Sequence, residues 1–122
     1  MLNDNILNIK TFVFSPFQEN TYVLYDDKNY AVVVDPGMQN KQEEKEFSDF
    51  ISNKQLILKR IVLTHAHIDH VFGLDYVVNK YQIPVALHKD SIGVLSSVPQ
   101  YAGAYGYDFS VGDYQYELLN EG

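Results

Sequence analysis

Residues 61–70 read IVLTHAHIDH and combine an apolar run with a cluster of histidines. The first three of these residues are continuously apolar, which is typical of a short buried strand. The next residues place three of the chain's four histidines and one aspartate within a six-residue span directly after that strand. In open α/β sheets, ligands bind outside the carboxyl ends of the strands. The stretch therefore predicts an α/β fold with a functional site at the end of this strand.

The spacing of these side chains predicts a site for two neighbouring metal ions. His65 and His67 are two residues apart, so in an extended segment both imidazoles leave the same face and can bind one ion. Asp69 and His70 follow on the next bend and can reach a second ion. Two close metals can deprotonate a shared water and stabilise the oxyanion formed at a carbonyl. Asp69 is the candidate catalytic residue, because a carboxylate can bind metal and also orient the hydroxide or accept its proton.

The chain before the cluster predicts three antiparallel strands followed by a helix. Alternating apolar and polar residues indicate a first strand over 7–14, and two β-rich runs at 21–25 and 30–34 are separated by a loop of hairpin length. The helix begins at a capping box formed by Asn40 and Glu43. Its apolar face consists of residues at helical spacing, namely Phe47, Phe50 and Ile51. The helix is predicted to end near Asn53.

The chain after the cluster predicts a helix and a further strand. Apolar residues recur at helical spacing over 72–81, and residues 85–88 form a short apolar run that indicates a strand. Residues 91–95 indicate one or two helical turns, and the Gly/Tyr-rich residues 101–107 indicate a loop. His88 is the remaining histidine, and we expect it to be a hydrogen-bonded or exposed residue near a strand end.

Composition excludes several classes of function. The chain has 122 residues, 46% of them hydrophobic, which predicts one packed domain. A net charge of -7 argues against binding of nucleic acid, which needs clustered cations. The absence of cysteine excludes a disulfide framework and a thiolate metal site. Because neither a signal peptide nor a long apolar run is found, we expect no membrane association and a cytoplasmic location.

Three segments of the sequence resemble the metallo-β-lactamase superfamily. Residues 63–70, followed by Gly73, resemble its His-x-His-x-Asp-His signature. Residues 15–22, which read SPFQENTY, and residues 34–37, which read VDPG, resemble the preceding segments of its glyoxalase II-like (hydroxyacylglutathione hydrolase-like) branch. The segments occur in the expected order, and the resemblance covers nearly the entire chain.

The resemblance implies an α/β (α+β) fold of the αββα sandwich type. Residues 1–122 would form the N-terminal half of this metallo-β-lactamase-like domain, with a mainly antiparallel, mixed sheet and helices on one face. The family's later ligands, a histidine, a bridging aspartate and a last histidine, belong to its C-terminal half and are absent from this sequence. We therefore expect a truncated, weakly active or inactive chain. Its open apolar sheet face should form a homo-oligomer or pair with the missing half.

The resemblance also implies roles for the site residues. His65 and His67 would bind the first metal, Asp69 and His70 the second, and Asp35 would support the site from behind the ligands. Zinc is the expected cofactor, with two ions per complete site, and iron or manganese also suits imidazole and carboxylate ligands. The expected substrates are small acyl compounds such as thioesters of glutathione, which a metal-bound hydroxide would hydrolyse.

Several alternatives share parts of this pattern. Lactonases, β-lactamases and iron-dependent persulfide dioxygenases have the same front half as the thioester hydrolases. A non-catalytic metal-binding or self-associating half-domain is the alternative from another functional class, and substrate turnover separates it from an enzyme. An amidohydrolase also places a His-x-His pair after a strand, but it needs a barrel of ~250 residues that this chain cannot form.

Overall fold

A single mixed sheet organises the chain. The computed structural model describes residues 7–65, 68–104, 112 and 114–119. Within this part, six strands pair in the order of the sequence. Strands β1 to β3 form an antiparallel meander, whereas β3 to β6 are parallel to one another. The strands are β1 Asn8–Phe14, β2 Glu19–Tyr25, β3 Tyr30–Val34, β4 Ile57–Val62, β5 Val85–His88 and β6 Tyr116–Leu119.

Four helices occur in the described residues. They are α1 Lys41–Asn53, α2 Ile68–Val71, α3 Leu74–Tyr81 and α4 Ser91–Ala104. Helices α1 and α3 each bury apolar residues at helical spacing, as the sequence predicts. None of these helices combines the length and the apolar character that crossing a bilayer requires.

The hydrophobic core lies on one face of the sheet. Side chains of alternate parity, such as Phe12, Phe14 and Val23, point into it and are almost fully buried. Helix residues including Phe47 belong to the same buried cluster, and each such side chain contributes roughly 1.5–3 kcal/mol when it leaves water. Residues of the opposite parity in β1 remain exposed, including Val13. The predicted mixed sheet is therefore confirmed for the described residues, with three parallel and two antiparallel pairings where a mainly antiparallel sheet was expected.

The predicted capping box begins helix α1 and also anchors a turn of the sheet. The Asn40 side chain accepts a hydrogen bond from the backbone N of Glu43 at 2.9 Å. The Glu43 carboxylate accepts one from the backbone N of Gln39 at 2.8 Å and another from that of Ser15 at 2.8 Å. Because Ser15 opens the turn between β1 and β2, a helix residue fixes the loop that leads into β2.

Several sequence predictions of element boundaries are wrong. Strand β2 begins at Glu19, two residues before the predicted start, and β4 begins at Ile57, four residues before the predicted start, because Ile57 pairs with Tyr30 of β3. Residues 68–71 form a short helix instead of a bend. The loop predicted over 101–107 is wrong for residues 101–104, which continue α4, and residues 105–107 lie outside the described part. Strand β6 had no local signal, because it forms through pairing with β5.

Gly73 packs against the segment that contains Pro36 and Met38, and no room remains between them for a side chain. Its backbone N donates to the carbonyl of Pro36 at 2.8 Å. A Cβ at this position would overlap Sδ of the buried Met38 and lie 2.7 Å from its Cγ and 3.1 Å from its backbone O. The side chain of Met38 must therefore move if position 73 gains a methyl group.

Gly73→Ala is expected to lower the free energy of unfolding by about 1–3 kcal/mol, because an added methyl group overpacks a closed core. The measurement is urea unfolding followed by far-UV circular dichroism. Gly93→Ala is the matched control, since a Cβ there meets nothing within 4 Å and lies inside helix α4. The control should be neutral or stabilising by up to ~1 kcal/mol. Equal stabilities of both variants would contradict the close contact between Gly73 and Met38.

Candidate metal centre

Two parallel strands bring the candidate residues to one edge of the sheet. Strands β3 and β4 are neighbours, with Val34 opposite Val62, and the backbone N of Asp35 donates to the carbonyl of Val62 at 2.9 Å. Asp35 therefore leaves the sheet beside the segment that follows β4, which contains Thr64. This juxtaposition follows from the parallel register, because the carboxyl ends of adjacent parallel strands lie at the same edge.

Asp35 is the buried centre of the site. Its backbone has a positive φ of 53°, a conformation that aspartate and asparagine tolerate better than most residues. One carboxylate oxygen, Oδ1, accepts from the backbone N of Thr64 at 2.8 Å. The other, Oδ2, contacts the Thr64 hydroxyl and lies 3.1 Å from Nδ1 of His70. Three donors therefore surround this carboxylate, which fits a supporting residue that orients the metal ligands.

Hydrogen bonds to Asp35 favour one tautomer in both described histidines of the site. Nδ1 of His70 faces the carboxylate directly, so it carries the proton. Nδ1 of His65 lies 3.0 Å from the Thr64 hydroxyl, which itself contacts Asp35. If that hydroxyl donates to Asp35, it accepts from Nδ1 of His65. Both rings then keep Nε2 unprotonated, which is the form that binds a metal ion.

The donor set fits a divalent metal ion. One ligand atom from each of Asp35, His65 and His70 lies within 4.8 Å of the others. The two imidazoles therefore lie close enough together to serve neighbouring ions, with Asp35 as the carboxylate that orients them. The two imidazole rings have centroids 4.9 Å apart and are tilted by 40°. Imidazole and carboxylate together suit zinc, iron and manganese.

An open pocket of about 390 Å³ lies over this cluster. One side is formed by the turn between β1 and β2, where Phe17 is 52% exposed and stacks on Phe72 at 6.1 Å between ring centroids. The pocket thus combines polar groups with an aromatic rim, as small-molecule sites commonly do. Its lining residues are Phe17, Gln18, Glu19, Asn20, Tyr22, Asp35, Thr64, His65 and His70.

The structure brings together three of the five residues that the sequence singled out. They are His65, His70 and Asp35. His67 lies outside the described residues, and for Asp69 the description covers only the backbone, which belongs to α2. The separate residue His88 is half-buried, and its Nδ1 accepts from the backbone N of Asp90 at 3.1 Å, which fits the expected role near a strand end.

Sequence reasoning missed three polar contributors to the site, namely Glu19, Thr21 and Thr64. Glu19 and Thr21 occupy core-facing positions of β2, and both are buried. A glutamate and a threonine on the same parity as the buried Val23 are unusual in a strand, and this pattern was the available signal. Because the strand was predicted to begin at residue 21, Glu19 was not recognised as a core-facing strand residue.

Two tyrosines have shifted pKa values, and neither lines the pocket described above. Burial, with a smaller contribution from Tyr76, raises the pKa of Tyr81 to about 12. Burial also raises the pKa of Tyr114 well above its ordinary value, and the hydrogen bond to Asp75 acts in the same direction. The Tyr114 hydroxyl donates to Asp75 Oδ1 at 2.9 Å. Both groups are neutral near pH 7, and Tyr114 ties the segment before β6 to helix α3.

Sequence and structure comparisons identify the family. The family model described as "Metallo-beta-lactamase superfamily" matches residues 14–104, which is most of the chain. This chain belongs to the metallo-beta-lactamase superfamily. The match includes Asp35 and the whole histidine cluster, so the predicted family is confirmed, and this fold implies binding of a divalent metal.

Curated relatives support the predicted branch of the superfamily. The "Probable metallo-hydrolase YqgX" of Bacillus subtilis is 40% identical over 75 residues, which cover 62% of this chain and 33% of that protein. The "Hydroxyacylglutathione hydrolase GloC" of Haemophilus influenzae is 28% identical over 102 residues, which cover 82% of this chain and 46% of that protein. The chain thus spans about a third to a half of the length of these relatives.

Solved structures confirm the fold. The BLEG-1 B3 metallo-beta-lactamase superposes with a TM-score of 0.79 and 30% identity, covering 94% of this chain and 54% of that one. The di-iron-bound form of TTHA1623 also gives a TM-score of 0.79, with 27% identity and coverage of 93% and 55%. The six-stranded mixed sheet and its helices therefore correspond to part of a metallo-beta-lactamase sandwich.

Proposed function

We propose that this chain is the metal-binding part of a hydrolase that cleaves thioester or ester bonds of small acyl compounds. The observation that carries the proposal is the convergence of His65 and His70 on Asp35 at the ends of two parallel strands, in a member of this superfamily. The similarity to hydroxyacylglutathione hydrolases supports a thioester as the substrate class.

The proposed ligands are His65 and His67 for one ion, and Asp69 and His70 for a second. The tautomers that Asp35 and Thr64 favour would present Nε2 of the two described rings to the metal. We propose zinc as the ion, with iron or manganese as substitutes that the same ligand types accept. The assignments of His67 and Asp69 rest on the sequence pattern.

Each residue would have a defined part in the reaction. A divalent metal supplies Lewis acidity, which activates water near neutral pH and polarises the acyl carbonyl. The Asp69 carboxylate would orient the attacking water and accept its proton. Oxygen then bonds to the carbonyl carbon, and the carbon–sulfur bond breaks to release a thiolate. The exposed ring of Phe17 beside the pocket would contact the apolar part of the substrate.

We also propose that the open face of the sheet packs against another polypeptide segment, either a second copy of this chain or the remainder of a sandwich. Ile9, Val13 and Tyr30 lie on this face and are each about half exposed or more. Exposed apolar residues clustered on one sheet face are costly in water and mark interaction surfaces. Association of this kind would also provide the additional ligands that a catalytic zinc site requires.

Metal content, measured by elemental analysis on protein whose mass is fixed by light scattering, tests the proposal. Zinc near one or two ions per chain is expected. Binding should fall at least tenfold in His65→Ala and in His70→Ala, whereas His88→Ala, which removes the histidine outside the cluster, should bind as the unmodified chain does. Release of thiol from an S-acyl glutathione then tests turnover. Metal uptake that is unchanged by either cluster variant would refute the assignment, and zinc binding without turnover would indicate a non-catalytic metal-binding module.

A further inference from the structure

Glu19 is a buried carboxylate whose position requires an explanation. It is the first residue of β2, and its side chain is only 1% exposed. Burial of an ionised carboxylate costs several kcal/mol unless hydrogen bonds and opposite charge compensate it. A glutamine or an apolar residue at this position would avoid the free-energy cost of burying a charge. The location therefore indicates that the charge itself has a use.

The contacts of Glu19 aim one of its oxygens at a proposed metal ligand. Oε1 lies 2.8 Å from the Thr21 hydroxyl, which accepts from the backbone N of Gly37 at 2.9 Å. Thr21 follows two residues later on the same face of β2, so a rigid strand fixes both side chains. The second oxygen, Oε2, lies 3.4 Å from Nδ1 of His70. The strand thus holds a carboxylate against the ring nitrogen that faces away from the proposed metal.

Two carboxylates therefore converge on one ring nitrogen. Asp35 Oδ2 lies 3.1 Å from Nδ1 of His70 and Glu19 Oε2 lies 3.4 Å from the same atom. Glu19 is the first residue of β2, whereas Asp35 directly follows β3. Negative charge on this side of the ring stabilises the tautomer that is protonated at Nδ1.

We propose that Glu19 is a positioning residue that works with Asp35 to hold His70 protonated at Nδ1, so that Nε2 is available as a ligand. The effect on metal affinity rests on the proposed function, because it requires His70 to bind the ion. The effect on the tautomer does not, since it concerns only the contacts among these three side chains.

The test compares Glu19→Gln with the matched control Glu43→Gln. Glutamine keeps the size of Glu19 and its contact with Thr21 but removes the charge. Glu43 is also a carboxylate that supports the β1–β2 turn, through Ser15, so Glu43→Gln reproduces a purely structural loss. The first readout is the ring ¹⁵N spectrum of His70 in metal-free protein, and the second is zinc affinity by competition with a chelator.

For Glu19→Gln we expect an increased population of the tautomer protonated at Nε2, together with a zinc affinity lower by about tenfold. Glu43→Gln should change neither. An unchanged tautomer in Glu19→Gln, or the same change in both variants, would overturn the proposal. If the unmodified chain binds no zinc, the proposed function fails while the ¹⁵N spectrum still decides the role of Glu19. If Glu19→Gln does not fold, Glu19→Met, an apolar side chain of similar length that also lacks the charge, takes its place with the same expectations.

Discussion

Zinc affinity is expected to fall by about 10- to 100-fold in Asp35→Asn, the range typical for loss of a residue that orients metal ligands. The substitution leaves Oδ1 to accept from the backbone of Thr64, but it puts a donor in place of Oδ2. Nδ1 of His70 then faces an amide that cannot accept its proton. The tautomer of His70 with an unprotonated Nε2 is then no longer favoured, and the affinity for zinc decreases.

Backbone strain should not contribute to the loss of affinity in Asp35→Asn. Asp35 has a φ of 53°, and asparagine adopts this left-handed conformation as readily as aspartate does. Asparagine also has nearly the same volume, so the buried position should stay filled. The expected loss therefore belongs to the charge and the acceptor of the carboxylate, not to strain.

Asp26→Asn is the control for this variant. Asp26 accepts from the backbone N atoms of Lys28 and Tyr30 in the exposed loop at the other end of β2 and β3. Its replacement removes one carboxylate of the same kind without touching the histidines. Zinc affinity, measured by chelator competition, should stay within about twofold of the original value. An Asp35→Asn chain that binds zinc as tightly as the Asp26→Asn chain would show that Asp35 does not support the ligands.

Local sequence patterns predict those parts of the fold that depend on short stretches of chain. The alternation in residues 8–14 and the cap at Asn40 each require only neighbouring residues, and both match the structure. Strand β6 and the first half of β4 could not be predicted in this way. Tyr116–Leu119 becomes a strand because β5 offers it a partner, and Ile57 begins β4 beside Tyr30 of β3. Such pairing has no signature within the segment itself.

The same distinction holds for the candidate site. The types and spacing of His65 and His70 indicate metal binding, because these residues lie close in the sequence. The partners that orient them are distant in sequence: Asp35 lies 35 residues from His70, and the contact between them depends on the pairing of β3 with β4. The resemblance to a known family supplied Asp35, whereas Glu19 became visible only when the structure placed its strand.

Phe47→Ala is expected to lower the free energy of unfolding by about 3–5 kcal/mol, which is a large part of the total stability of a typical small domain. Phe47 is fully buried in α1. Its ring centroid lies 5.8 Å from that of Phe12 in β1 and 6.1 Å from that of Tyr81 in α3. The ring therefore joins the sheet to two helices, and its removal leaves a cavity that rigid strands cannot close.

Phe17→Ala is the matched control, because Phe17 is half exposed and its ring stacks on that of Phe72 at the surface of the pocket. Its loss should cost about 1 kcal/mol. Urea unfolding gives both values from the midpoint and the slope of the transition. A loss below about 1 kcal/mol in Phe47→Ala would show that helix α1 is not packed as described. Because Phe47 does not line the pocket that contains His65 and His70, the zinc affinity of the folded chain should remain unchanged. The two measurements together separate the stability of the fold from metal binding at the site.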